Sequence, residues 1–176
     1  MITIRPEIPD DIAAIDRINR DAFEGQDEAA LVERLRSGVD DTISLVAVDD
    51  ETGVVVGHLL VSPMTLDPAE GSRAAEDLDL RAIGPMSVAP DRQRQGIGSQ
   101  LVDEAIVRCR DAGVAILFVL GDPAFYARFG FDSTAPCDIA STYEVAPQYF
   151  MLNALRDGAE QGVAGIVRYH PHFQGI

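Results

Sequence analysis

Between Pro90 and Leu101 the chain reads PDRQRQGIGSQL, and two close glycines, Gly96 and Gly98, stand there at what reads as the start of a helix, a corner that could hold a phosphate. Two arginines, Arg92 and Arg94, gather beside them in a protein whose formal net charge is -15. From Gly96 onward Ile97, Leu101, Ala105, Ile106 and Cys109 recur at three and four, the period of a helix. Glycines at a helix start let an anion approach backbone N–H groups that lack helical acceptors. A dinucleotide fingerprint would need a third glycine where Leu101 stands, and the preceding Pro-Asp-Arg-Gln is no strand end. The corner therefore reads as an anion site of another kind.

A second irregularity lies just upstream, in LRAIGPMSVAP (Leu80 to Pro90). Glycine and proline inside a strand pattern point to a bulge or a splay, and Pro85 removes one ladder donor. Such a strand parts from its neighbour and frees backbone N–H groups at Met86, Ser87 or Val88.

The elements that must hold these residues follow from the apolar periodicities. MITIRP is a short strand ended by Pro6, and Ile8 to Phe23 is a helix with Asp10 and Asp11 at its start. Asp27 to Arg36 forms a second helix, closed by Gly38. Thr42 to Asp50 and Val54 to Leu66 are strands of a hairpin, followed by a polar exposed loop from Asp67 to Asp79. The helix after Gly96 runs to about Ala112 and stops at Gly113. VAILFVLG (Val114 to Gly121) is a strand buried on both faces, PAFYARFGF is a helical turn and a new strand, and the tail adds strands around 148–154 and 163–169. The class is α/β (α+β), a single domain over 1–176 around one mixed, mostly antiparallel sheet.

Composition narrows the function. Hydrophobic residues make up 47% of the chain and charged residues 24%, as in ordinary globular proteins. All 14 basic residues are arginines. The lack of lysine excludes a lysine Schiff base and a nucleotide loop that ends in Gly-Lys-Ser/Thr. The acidity argues against nucleic acid as partner and favours a cationic substrate. Cys109 and Cys137 form no framework, and His170 and His172 lack a third ligand, so no metal is expected. No run approaches a membrane span, and a cytoplasmic location is expected.

Strand, Val-x-Pro, Gln93-x-x-Gly96-x-Gly98 and an amphipathic helix together resemble the acyl-CoA-binding motif of the GCN5-related N-acetyltransferase (GNAT) family. The likeness continues into VAILFVL and FYARFGF, the family's closing element, and covers roughly Ile2 to Ala135, with C-terminal strands to 170. More narrowly, LGDPAFYARFGF with a late VRYHPHF resembles the YhbS-like branch. The resemblance implies a splayed central strand, helices on both faces of the sheet, acetyl-CoA as acyl donor, an amine acceptor and a homodimer through the C-terminal strands. It assigns the coenzyme to Met86, Ser87, Val88, Gln93, Arg94, Gln95, Gly96, Ile97, Gly98, Ser99 and Tyr126.

Within that likeness Met86 and Ser87 would polarise the thioester carbonyl, and the Tyr126 phenol would act as general acid and protonate the departing thiolate. Glu24 and Glu28, with Asp27, fall where the acceptor side is lined and would bind a cationic amine. Leu80 to Val88 carries no carboxylate, so no glutamate on that strand serves as base, and His58 is a weak candidate. Transfer is expected to be direct, without an acyl-enzyme. A pocket that binds acyl-CoA without turnover, as a sensor or partner module, is the alternative.

Overall fold

The structure is a computed structural model and describes residues 1–73 and 76–176. Of the polar loop expected over 67–79, Ala74 and Ala75 lie outside the described residues. The chain folds as two compact units. One comprises Met1–Ser62, Gly84–Val107 and His172–Ile176, the other Pro63–Ile83 and Arg108–Pro171.

In the first unit β1 (Ile2–Pro6) pairs antiparallel with β2 (Ile43–Asp49), and β2 with the first part of β3 (Val54–Pro68). The β2–β3 register shifts between Ala47 and Val48. The strand after β3 in the sheet order is β4 (Leu80–Val88). A single 3-10 turn, Pro9–Asp11, precedes α1 (Ile12–Phe23), so the helix begins later than the periodicity implies. Asp11 explains the delay: its carboxylate accepts from the Ile8 N–H (2.8 Å) and from the Arg5 guanidinium (2.6 and 3.0 Å).

The second helix, α2 (Asp27–Gly38), does not end on a left-handed glycine as expected. Gly38 is its last helical residue, and Val39 leaves in extended conformation. Close packing accounts for the glycine instead, because a Cβ there would stand 2.7 Å from His172 Nε2.

Two neighbouring residues on β3 organise this unit. Gly57 leaves a gap on one face, filled by α3 (Ile97–Asp111): a Cβ at Gly57 would meet Ile97 Cγ2 and Leu101 Cδ1 at 3.2 Å and the Ser87 carbonyl at 3.3 Å. Strand side chains alternate in direction, and His58 accordingly reaches Asn19 of α1 on the opposite face. Helices thus cover both faces of this sheet.

In the second unit the first half of β4 runs parallel to β5 (Ile116–Leu120), whose residues Ile116 to Val119 are buried throughout. Beyond β5 come α4 (Pro123–Tyr126), β6 (Asp132–Ser133), β7 (Ile139–Ser141), β8 (Phe150–Ala154) and β9 (Gly165–Tyr169). Strand β8 pairs antiparallel with β5 and β6, while β9 pairs antiparallel with the end of β3 and parallel with β7. The core gathers Met64, Leu80, Ile116, Leu152 and Val167 around a stacked pair, Phe118 and Phe150, with ring centroids 5.6 Å apart. The sheet is therefore mixed and mostly antiparallel, as the sequence implies.

Gly57→Val should cost about 1–3 kcal/mol, since the added methyls have no space under α3. Urea unfolding of the variant against wild type measures this directly.

Candidate active site

The glycine corner is built from hydrogen bonds that end β4 and start α3. The Ala89 N–H donates to the Val56 carbonyl (2.9 Å), and the Arg92 N–H to that of Ala89 (2.8 Å), shaping the turn Pro90–Arg92. Gln93 Nε2 donates to the Val88 carbonyl (3.1 Å), and Gln95 Nε2 to that of Asp91 (3.2 Å). Both glutamine side chains thus brace the loop. Arg92 Nη1 binds Asp49 Oδ2 at 2.8 Å and fixes the corner to the end of β2. The Glu51 N–H and Arg92 hold the Asp49 carboxyl below its ordinary range.

Arg94 is exposed and left-handed (φ 60°), and Gly96 is left-handed as well (φ 82°). Alternation of right- and left-handed residues turns successive N–H groups toward one point, a concavity suited to anions. A side chain at Arg94 in this conformation is unusual and marks a constrained loop. The first helical hydrogen bond runs from the Gln100 N–H to the Gly96 carbonyl (3.1 Å). The N–H groups of Ile97, Gly98 and Ser99 precede it and have no acceptor within the helix. No Cβ clash guards Gly96, so the space over it is open.

On β4 the register with β5 closes at Ile83 opposite Val119, one residue before Gly84-Pro85. Met86 and Val88 are half-buried, whereas Ser87 is 3% exposed. The Ser87 hydroxyl is buried without a hydrogen-bond partner, an expensive state for a polar group unless something else uses it.

Tyr126 belongs to the other unit. Asp122 caps α4 through a 2.9 Å bond from the Ala124 N–H, and Pro123 follows at the position where a missing N–H costs nothing. The Tyr126 ring packs edge-on against Phe125 and Phe131, at 4.9 and 5.7 Å between centroids. Gly121 makes room for it, since a Cβ there would fall 2.5 Å from Tyr126 Cε2. Burial pushes the phenol up to about 12, so it is fully protonated near neutrality. Among the described residues nothing holds its hydroxyl.

This arrangement has known relatives. A family model described as an acetyltransferase (GNAT) domain matches residues 3–134. The chain belongs to the GNAT family of acetyltransferases. It is 39% identical, over 97% of both chains, to the uncharacterized N-acetyltransferase YhbS of Escherichia coli K12. The crystal structure of E. coli YhbS in complex with CoA superposes with a TM-score of 0.87 at 38% identity, covering 98% of this chain and 91% of that one. A GNAT family acetyltransferase from Brucella melitensis, in complex with acetyl-CoA, gives 0.76 at 32% identity over 98% of each chain.

The remaining candidates on this GNAT scaffold separate clearly. Glu24 is exposed and left-handed (φ 54°) at the C-cap of α1, and Glu28 lies in the first turn of α2. Among the described residues neither carries an ion pair. Cys109 is buried and its thiol pushed up to about 12, which suits a core residue rather than a nucleophile. His172 packs on Gly38, and its carbonyl accepts from Arg34 Nη2 (3.2 Å). Among the described residues no three His, Cys, Asp or Glu side chains are grouped to hold a metal.

His58 has no exposed surface and is part of a hydrogen-bond chain that the sequence did not signal. Asn19 Nδ2 donates to the Ile15 carbonyl and faces His58 Nδ1 at 3.4 Å. His58 Nε2 meets Ser44 Oγ at 2.9 Å, Ser44 donates to Glu7, and Arg36 clasps Glu7 at 2.5 and 3.1 Å. One proton arrangement satisfies all of these: Nε2–H donates to Ser44 and Nδ1 accepts from Asn19. Burial lowers the His58 pKa to about 4, with Arg36 acting the same way and Glu7 against it.

A buried neutral histidine makes stability fall with acid. Above its unfolded value of 6.5 the contribution is complete, and between 6.5 and about 4 the unfolded chain takes a proton that native His58 refuses. The loss across that window should be on the order of 3 kcal/mol. Burial raises the Glu7 carboxyl, but Arg36 and Ser44 outweigh it and hold the group below 4.5, adding a further loss at lower pH. Urea midpoints measured from neutral pH downward should show this slope in wild type and a flatter one in His58→Gln.

Proposed function

We propose that the chain transfers an acetyl group from acetyl-CoA to a primary amine, on a small molecule or a protein, by direct attack in a ternary complex. The observation that carries this reading is the Gln93–Ser99 corner, an array of open N–H donors at the start of α3. Family membership and two close relatives with CoA or acetyl-CoA bound support it. Residues 1–176 would act as one acyl-CoA N-acyltransferase domain.

The diphosphate of the coenzyme would rest on the N–H groups from Gln95 to Ser99, with the Arg94 guanidinium beside it. Met86, Ser87 and Val88 would receive the pantetheine arm, and the Met86 and Ser87 region would polarise the thioester carbonyl. The amine nitrogen attacks the carbonyl carbon, and the carbonyl electrons move to oxygen. Donors aimed at that oxyanion are worth about 3 kcal/mol each. Collapse breaks the C–S bond, the thiolate leaves, and the nitrogen sheds its proton to water. A phenol as weakly acidic as Tyr126 gives the departing sulfur a hydrogen bond more readily than a whole proton. Glu24 and Glu28 would attract a cationic acceptor.

The absence of a carboxylate on Leu80–Val88 favours a second reading, a weakly active acyl-CoA sensor. Calorimetric titration of acetyl-CoA tests the shared element of both: wild type should bind and Gly96→Trp should not. Absence of binding in wild type overturns both readings. Tyr126→Phe should lower kcat by about 10–100-fold, the worth of one hydrogen bond to a charged sulfur, with little change in coenzyme affinity, and a wild type without turnover on any amine leaves the sensor. Glu24→Gln with Glu28→Gln should raise KM for cationic amines about threefold and leave acetyl-CoA binding intact.

A further inference from the structure

Between α1 and α2, both within the first unit, runs a groove of about 630 Å³. None of the residues assigned above to coenzyme, chemistry or acceptor lines it. Its floor is apolar, formed by the buried side chains of Ile15, Ala29 and Val32. Ile12 also lines it and leaves 41% of its surface in water, a large apolar side chain with no cover of its own.

The lining follows helical spacing on both walls. On α1 Ile12, Asp16 and Arg20 recur every four residues, and on α2 Ala29, Val32, Glu33 and Arg36 recur at three and four. Such stripes lie along one face of each helix. The trough is therefore about 12 Å long on the α1 side, the rise of eight helical residues. A trough that is apolar at the bottom and open to water takes a helix laid in by its apolar face.

The rim sets the charge of that helix. Both guanidinium groups in the lining are already engaged: Arg20 Nε binds Asp16 Oδ2 at 2.8 Å, and Arg36 Nε binds Glu7 Oε1 at 2.5 Å. Asp10 and Glu33 line the same groove, are exposed, and have no ion pair among the described residues. The rim thus offers carboxylates without partners, while its cations are matched.

We propose that this groove docks a basic amphipathic helix of another protein. An apolar side chain of that helix packs on Ile12, and lysine or arginine residues beside it meet Asp10 and Glu33. A second copy of this chain is a poor occupant, because it brings another net charge of -15. Anionic lipid is repelled by the same carboxylates. The inference is independent of the acetyl-transfer reading, since it uses no residue of the coenzyme corner.

The test is fluorescence anisotropy at physiological salt, with a labelled helical leucine–lysine peptide of about four turns as probe. A scramble of equal composition, without an apolar face, is the comparison. Wild type should bind the amphipathic peptide about tenfold more tightly than the scramble. Asp10→Asn with Glu33→Gln should weaken binding about fivefold, and Ile12→Ser about threefold. Asp132→Asn with Asp157→Asn removes the same charge from exposed sites in the other unit and should change little. Acetyl-CoA affinity should stay the same in every variant. No binding, equal binding of the scramble, or equal losses in the two charge pairs overturns the inference, because attraction is then general rather than seated in the groove. Sedimentation that shows a dimer dissolved by Ile12→Ser also overturns it, by making a second copy the occupant.

Discussion

At Gly57 strand β3 presents bare backbone, and α3 settles into the space with Ile97 and Leu101. The first turn of that helix carries the open N–H groups of the glycine corner. A bulkier residue on β3 would lift the helix, and those donors would leave the loop that Gln93, Gln95 and Arg92 brace. The adjacent His58 fixes the opposite face, where Asn19, Ser44, Glu7 and Arg36 tie α1, α2 and two strands into one chain of hydrogen bonds. Two consecutive residues thus decide where the helices on both faces sit.

The two faces use different physics. The Gly57 side depends on shape alone, and its tolerance is a few tenths of an ångström. The His58 side depends on protonation and on full satisfaction of buried polar atoms. It is nearly complete, with the Asn19 Oδ1 buried and unpartnered. Buried polar chains of this kind specify position strongly because any misplacement leaves a donor or acceptor stranded.

How far the sequence discloses this architecture depends on the range of each signal. The strand Leu80–Val88, the helix that begins at Ile97 and the buried strand at Ile116 are legible because their apolar periods are long and local. Strand β7, three residues long, has too few positions to show a period, and only its pairing with β9 defines it. Gly38 looks like a helix stop in sequence, yet its reason is the ring of His172, far along the chain. Arg92 on Asp49 and the Asn19–Glu7 chain join residues from several elements, and no spacing announces them. Gln93 and Gln95 were found by their motif, while their bracing of the loop became visible only with the backbone in place.

The absence of lysine acquires a further meaning from the ion pairs. Among the described residues the pairs of Arg5 with Asp11, Arg36 with Glu7, Arg92 with Asp49 and Arg168 with Asp67 all use a guanidinium. Guanidinium stays protonated at all ordinary pH values and offers no lone pair for attack. The chain therefore has no side-chain amine of its own for a thioester to acylate. A protein that works beside reactive acyl donors thus keeps its charges, its corner and its helix contacts immune to the modification it would make on others.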